Sequence, residues 1–287
     1  MIKKSIKLSG IADEAGSSIE SQIKAHLLLG WDEIELRSIE GIALAEVDHI
    51  KFQKLKSMIH SSHLKVTTVS STIGNWDKPI TTEFFQDKEE LKVLSDRMHQ
   101  LGSTYLRIMS YPNDGMTDYD WKERVLERIS ILTELAEKEN VILVHENCAG
   151  WAGQSAMHTL EMLEKINSDS LKVLFDIGNG VSYGYESLDF LKKVHPFTVH
   201  VHVKDSLRRE DNTVIFTFPG EGNSNVLSCL QFLFDKGYEG ILAIEPHIHL
   251  IPHLRNTLGE TNMLSSYIRY GRALREIIEQ DVKIGGY

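Results

Sequence analysis

Cysteine is scarce in this chain: there are two among 287 residues, Cys148 and Cys229. They form no CxxC pair and no disulfide framework, which fits a reducing cytosol. Long apolar runs are missing as well. No stretch approaches the roughly 18 apolar residues of a membrane span. The N-terminal MIKKSIKLSG also lacks the long apolar core of a secretory signal. These absences predict a soluble, cytoplasmic protein with no membrane partner. Positive charge is outweighed, with 31 Lys and Arg against 41 Asp and Glu and a net charge of −10. A nucleic-acid surface ordinarily needs a basic face, so no nucleic-acid partner is expected. Neither GxGxxG nor GxxxxGK[ST] occurs, which removes the usual signatures of a nucleotide loop. There is no linker, low-complexity tract or repeat.

What remains is ordinary globular composition, 41% hydrophobic and 25% charged, with ample length for a core. Short β-rich runs alternate with longer amphipathic stretches. Strands are predicted over 5–12, 32–37, 65–71, 105–110, 141–147, 172–177, 198–204 and 240–245. Between them, Ser17 and Glu20 read as a capping box ahead of Ile23, His26 and Leu27. Val125, Ile129, Leu132 and Ala136 mark one helical face, and Leu160, Leu163 and Ile166 another. Alternation of this kind predicts parallel strands with helical crossovers. Eight units of about 36 residues suit a (β/α)8 TIM barrel forming a single domain over 1–287. A doubly wound sheet would alternate in the same way, but it usually carries a nucleotide loop after its first strand.

Four residues fall at the ends of consecutive predicted strands: Glu146 in VILVHEN, Asp176 in KVLFDIGN, His202 in VHVHVKD and Glu245 in ILAIEPH. A barrel brings such ends to one mouth, the face where barrel enzymes place catalytic groups. Three carboxylates and an imidazole crowded there need a cation between them. Alternation along the strands supports this register. Glu146 inward places Val144 and Ile142 below it and turns His145 outward. Glu245 inward places Ala243 and Ile241 below it, and His202 inward carries His200 and Lys204. The O3N set suits one divalent ion, Mn2+, Zn2+, Co2+ or Mg2+.

The motifs HEN, FDIGN, HVHVKD with the following PGEG, and IEP resemble those of the xylose-isomerase-like TIM barrel superfamily of sugar isomerases and epimerases, inosose dehydratases and endonuclease IV. The resemblance implies that Glu146, Asp176, His202 and Glu245 bind the metal, with Glu146 and Glu245 also acting as the acid/base pair. Endonuclease IV relatives use additional histidines, including one where this chain has Asn179. None stands at the end of the third or fourth strand, so an endonuclease IV-like nuclease is the weakest reading.

Chemically, a metal chelating a ketose carbonyl and adjacent hydroxyl acidifies the C–H between them and stabilises an enediolate. Proton return by Glu146 or Glu245 gives epimerisation or isomerisation. Loss of a β-hydroxyl gives dehydration instead. The expected function is a metal-dependent isomerase or epimerase of a sugar or related polyol ketone. An inosose-dehydratase-like lyase is the alternative. Substrate contacts are expected from Lys204, Arg107, Glu35, His247 and Trp151, with Trp76 also placed to wall the pocket. Lys204, Arg107 and Glu35 read equally well as partners in structural ion pairs, and both tryptophans as core residues. Cys148 reads as a small packing residue. Gly220 and Gly222 read as turn formers or a phosphate cradle, and Arg208 and Arg209 as solvated loop residues or contacts to an anionic substrate. His247, His249 and His253 cluster after the last strand without carboxylates in that stretch. The expected partner is a small carbohydrate, and a homo-oligomer is compatible with the sequence.

Overall fold

Side chains branched at Cβ and buried on both faces favour parallel strands, and these runs adopt that structure. A computed structural model of the chain describes residues 6–248, 250–251, 256–257 and 260–282; His249 and His253 lie outside the described residues. The strands are β1 (Lys7–Gly10), β2 (Glu33–Leu36), β3 (Lys65–Ser70), β4 (Tyr105–Ser110), β5 (Ile142–Gly150), β6 (Leu171–Asp176), β7 (Thr198–Val203) and β8 (Ile241–Ile244). All are parallel, in the order β1-β8-β7-β6-β5-β4-β3-β2. β1 pairs with β8 from Lys7–Ile241 to Gly10–Ile244. The seam between β1 and β2 is joined by one bridge, Ile11 to Glu35. The result is the TIM barrel that the alternation predicts.

Helices α1 (Ile19–Leu29), α2 (His49–Ser62), α3 (Phe84–Leu101), α4 (Asp118–Glu139), α5 (Ala156–Ile166), α6 (Asn179–Tyr183), α7 (Ser187–Val194), α8 (Val226–Asp235) and α9 (Glu260–Glu276) complete the units. Polar caps start several of them: the Asp48, Thr117 and Ser155 side chains accept from backbone N–H groups of α2, α4 and α5. The expected capping box on α1 is not formed. Ser18 caps the helix through Ser21 N–H, and Glu20 reaches Lys54 on α2 at 2.8 Å instead.

A hairpin of Asp205–Arg208 and Val214–Thr217 projects after β7. Its root is wrapped around Asp205. Ser206 and Ser224 N–H groups donate to Oδ1, and those of Gly220 and Gly222 donate to Oδ2. The glycines therefore form a turn around an internal carboxylate, which occupies the N–H groups a phosphate would use. A Cβ on Gly222 would lie 2.3 Å from Asp205 Oδ1.

Candidate active site

The barrel register brings the predicted four together. His202 pairs with Asp176 on β6 and with Ala243 on β8, two residues before Glu245. Glu146 pairs with Leu174, one inward layer below Asp176, and its longer side chain makes up the step. Ligand atoms of Glu146, Asp176, His202 and Glu245 all lie within 4.8 Å of one another, and all four residues are buried. Barrel stagger thus places groups from four strands around one centre.

The atoms facing away from that centre are held by neighbours. Glu35 Oε1 and Oε2 both lie 3.2 Å from His202 Nε2. Glu35 also accepts from Ser70 and pairs with His200 at 2.9 Å. Asp176 Oδ1 accepts from Gly178 and Asn179 N–H. Arg37 contacts Glu245 Oε1 at 3.3 Å while binding Asp13 and Glu14. Arg107 donates to Glu146 Oε2, and Asn179 Nδ2 to Oε1, both at 3.2 Å. These contacts fix each side chain, as neighbours of metal ligands do. His202 Nδ1 is left buried with no hydrogen-bond partner among the described residues, 3.6 Å from Glu245 Oε2. An orphaned imidazole nitrogen inside a ring of carboxylates fits a divalent ion.

Charges of both signs are packed together in the cluster. Burial, with Glu245 and Glu146 nearby, pushes Asp176 up to about 8 against the pull of Lys204. Burial opposes charge on Lys204, but Asp176 and Glu245 hold its ammonium well above the ordinary range. Burial also opposes charge on His202, and Glu35 overrides it, keeping the imidazole well above its usual value. Burial would raise Glu35, yet His202 and His200 hold it well below the carboxylate range. The cluster therefore gathers an ammonium and an imidazolium beside its carboxylates, as a site built for positive charge should.

A cavity of about 130 Å³ opens beside this centre, lined by Glu146, Lys204, Glu245 and His247 together with Trp76, Tyr183 and Phe216 among others. Of the expected substrate contacts, Lys204 and His247 reach it. Arg107 and Glu35 sit behind it, holding Glu146 and His202. Trp151 is not among the lining residues. It is buried and stacks on His158 with ring centroids 4.5 Å apart, because its position after β5 turns it toward α5. Cys148 does line the cavity, 3.5 Å from the Tyr183 hydroxyl. Burial pushes its thiol up to about 12, so it is neutral there. Arg208 contacts the Val181 carbonyl of α6.

Several site residues escaped the sequence reading. Half-buried Arg37 and buried Asp13 and Glu14 form a network across the β1–β2 seam, and Glu14 holds His247 through its backbone N–H at 2.7 Å and Nδ1 at 2.9 Å. All three follow strand ends, the signal that found the other four. Tyr183 and Phe216 come from α6 and the hairpin, where no periodicity marks them.

A model of the xylose isomerase-like TIM barrel family matches residues 25–265. An inosose dehydratase from Clostridium perfringens is 26% identical over 144 residues, 45% of this chain and 48% of that protein. The chain thus spans about half the length of this curated relative. The probable 3-DHS dehydratase of petrobactin synthesis from Bacillus anthracis superposes with a TM-score of 0.73 at 15% identity, covering 94% of this chain and 98% of that one. D-allulose 3-epimerase from Methylomonas sp., solved with D-allulose, gives a TM-score of 0.72 at 16% identity and coverage of 97% and 98%.

Proposed function

The chain belongs to the xylose isomerase-like TIM barrel family, and from that premise we propose that it is a sugar-modifying enzyme, a divalent-metal-dependent isomerase or epimerase of a sugar or related polyol ketone. The observation that carries this reading is the convergence of Glu146, Asp176, His202 and Glu245 within 4.8 Å, with both glutamates lining the adjoining cavity. These four residues would hold one ion, Mn2+, Zn2+, Co2+ or Mg2+. When bound, the ion polarises a carbonyl and its neighbouring hydroxyl as a Lewis acid.

The chain's own residues do the rest. Glu146 and Glu245 reach the cavity from different strands, so one takes a proton from carbon and the other returns one. Arg107 and Arg37 behind them keep each carboxylate aimed. Trp76, Tyr183 and Phe216 offer aromatic surface to the C–H face of a small carbohydrate.

A lyase that expels water from the same carbanion is the second reading, favoured by the curated relative named inosose dehydratase. One experiment separates the two. Mn2+-loaded protein is incubated with a panel of ketoses and inososes in D2O and followed by NMR and mass spectrometry. Deuterium beside the carbonyl with retained formula supports isomerisation or epimerisation. Loss of water supports the lyase. Neither change across a broad panel overturns both readings. Independently, Glu146→Gln, Asp176→Asn and His202→Ala are each expected to lower bound metal sharply, and unchanged stoichiometry in all three removes the ligand assignment.

A further inference from the structure

Lys204 lies on the two oxygens that an ion would need. Asp176 Oδ1 is occupied by the N–H groups of Gly178 and Asn179, which leaves Oδ2 for the centre. Glu245 Oε1 is occupied by Arg37, which leaves Oε2. Lys204 Nζ is 2.5 Å from Asp176 Oδ2 and 2.7 Å from Glu245 Oε2. Small divalent ions such as Zn2+ and Mg2+ bind carboxylate oxygens at roughly 2.0–2.2 Å. An ion and an ammonium on the same pair of oxygens would therefore repel one another across a short gap in a dry site.

The lysine has somewhere to go. Its stem is packed so tightly on Gly178 that a Cβ there would meet Lys204 Cγ at 2.6 Å and Cβ at 2.7 Å. The root of the side chain is thus fixed and only its outer methylenes can swing. Lys204 also lines the cavity of about 130 Å³, with its Nζ already 6.0 Å from the Phe216 ring centroid. A turn of the outer bonds carries the ammonium off the carboxylates and into the space where a substrate would lie.

We propose that Lys204 is a built-in stand-in cation: it bridges Asp176 and Glu245 when no divalent ion is there, and loading of the ion displaces its ammonium into the cavity, where it meets substrate oxygen. This rests on the metal reading above. Metal loading then does two things at once, filling the acid cluster and supplying the cavity with a positive hydrogen-bond donor. Ion is expected to bind before substrate.

The test has two parts on the intact protein. Mn2+ affinity is measured by calorimetry for wild type and Lys204→Met, and the Mn2+-loaded wild type is crystallised. Removal of an internal competitor is expected to tighten Mn2+ binding by about tenfold. The crystal is expected to show Nζ out of contact with both Asp176 Oδ2 and Glu245 Oε2. Bound Mn2+ with Nζ still on both oxygens overturns the proposal, as does a Lys204→Met affinity within about twofold of wild type. If Lys204→Met does not fold, the wild-type crystal decides alone. A wild type that binds no Mn2+ at all removes the metal reading itself, a different outcome from one that binds Mn2+ without moving the lysine.

Discussion

Glu35 does not line the cavity beside the candidate centre, yet both of its oxygens lie 3.2 Å from His202 Nε2 and hold that ring in place. Glu35→Gln is expected to weaken Mn2+ binding by about 10–100-fold, the usual effect of losing a carboxylate behind a metal-binding histidine. Calorimetry with a circular-dichroism check of folding measures it, and an unchanged affinity would remove Glu35 from that role. Arg107 acts on Glu146 in the same way, but its loss should appear first in stability. Both partners are buried and 3.2 Å apart. Arg107→Met removes the buried cation paired with Glu146 and leaves the carboxylate its amide contact with Asn179, with an expected loss of up to about 3–5 kcal/mol, read from urea unfolding. The sequence leaves Glu35 and Arg107 open between substrate contact and structural ion pairs, and the structure shows the pairs. Whether such a group meets substrate or another side chain depends on which strands become neighbours across the barrel.

Among the elements, the hairpin root depends most on a single side chain. Asp205 accepts from four backbone N–H groups, and each one orphaned costs about 1–3 kcal/mol when it stays buried. Asp205→Ala is expected to destabilise the fold by at least about 3 kcal/mol and to open residues 206–224 to limited proteolysis. Unchanged cleavage in that segment would show the loop to be held elsewhere. On β5 the opposite holds. His145 is fully buried with neither ring nitrogen bonded among the described residues. His145→Leu removes two stranded polar atoms at similar volume, so urea unfolding at pH 7 should find it no less stable than wild type. Strand positions were legible because short β-rich apolar runs are a local signal. The pairing of Glu20 with Lys54 was not, because it joins two helices 34 residues apart.

Across the whole molecule, two buried histidines add to the acid response. Burial lowers His26 to about 4, although its bond to the Glu33 carbonyl opposes the shift, and burial lowers His145 to about 3. In the unfolded chain both take up protons near pH 6.5. Their folded values lie below that, so their contribution is complete above pH 6.5 and is lost as the pH falls toward 4 and then 3. Over that window each adds about 1.4 kcal/mol of stability per pH unit. His145→Leu should flatten the pH dependence of unfolding free energy by that amount, and an unaltered slope would rule His145 out. We also take 1–287 as one domain, so fluorescence and circular dichroism should report a single coincident unfolding transition. Two separated transitions would divide it.

The sequence by itself determined the strand-helix alternation and the strand-end position of the four residues around the candidate metal centre, because short β-rich runs and the place of a polar residue at their ends are local properties that survive without contacts. The tertiary structure decided what those residues lean on. Closure of β1 against β8 brought Arg37 to Glu245 across 208 residues. The sequence did list Lys204 among the inward residues, but only the fold set its ammonium on the oxygens an ion would claim. The fold also turned Trp151 away from the cavity and brought Tyr183 and Phe216 to it. Such pairings belong to neighbours in space, and stagger and loop packing choose them only when the barrel closes.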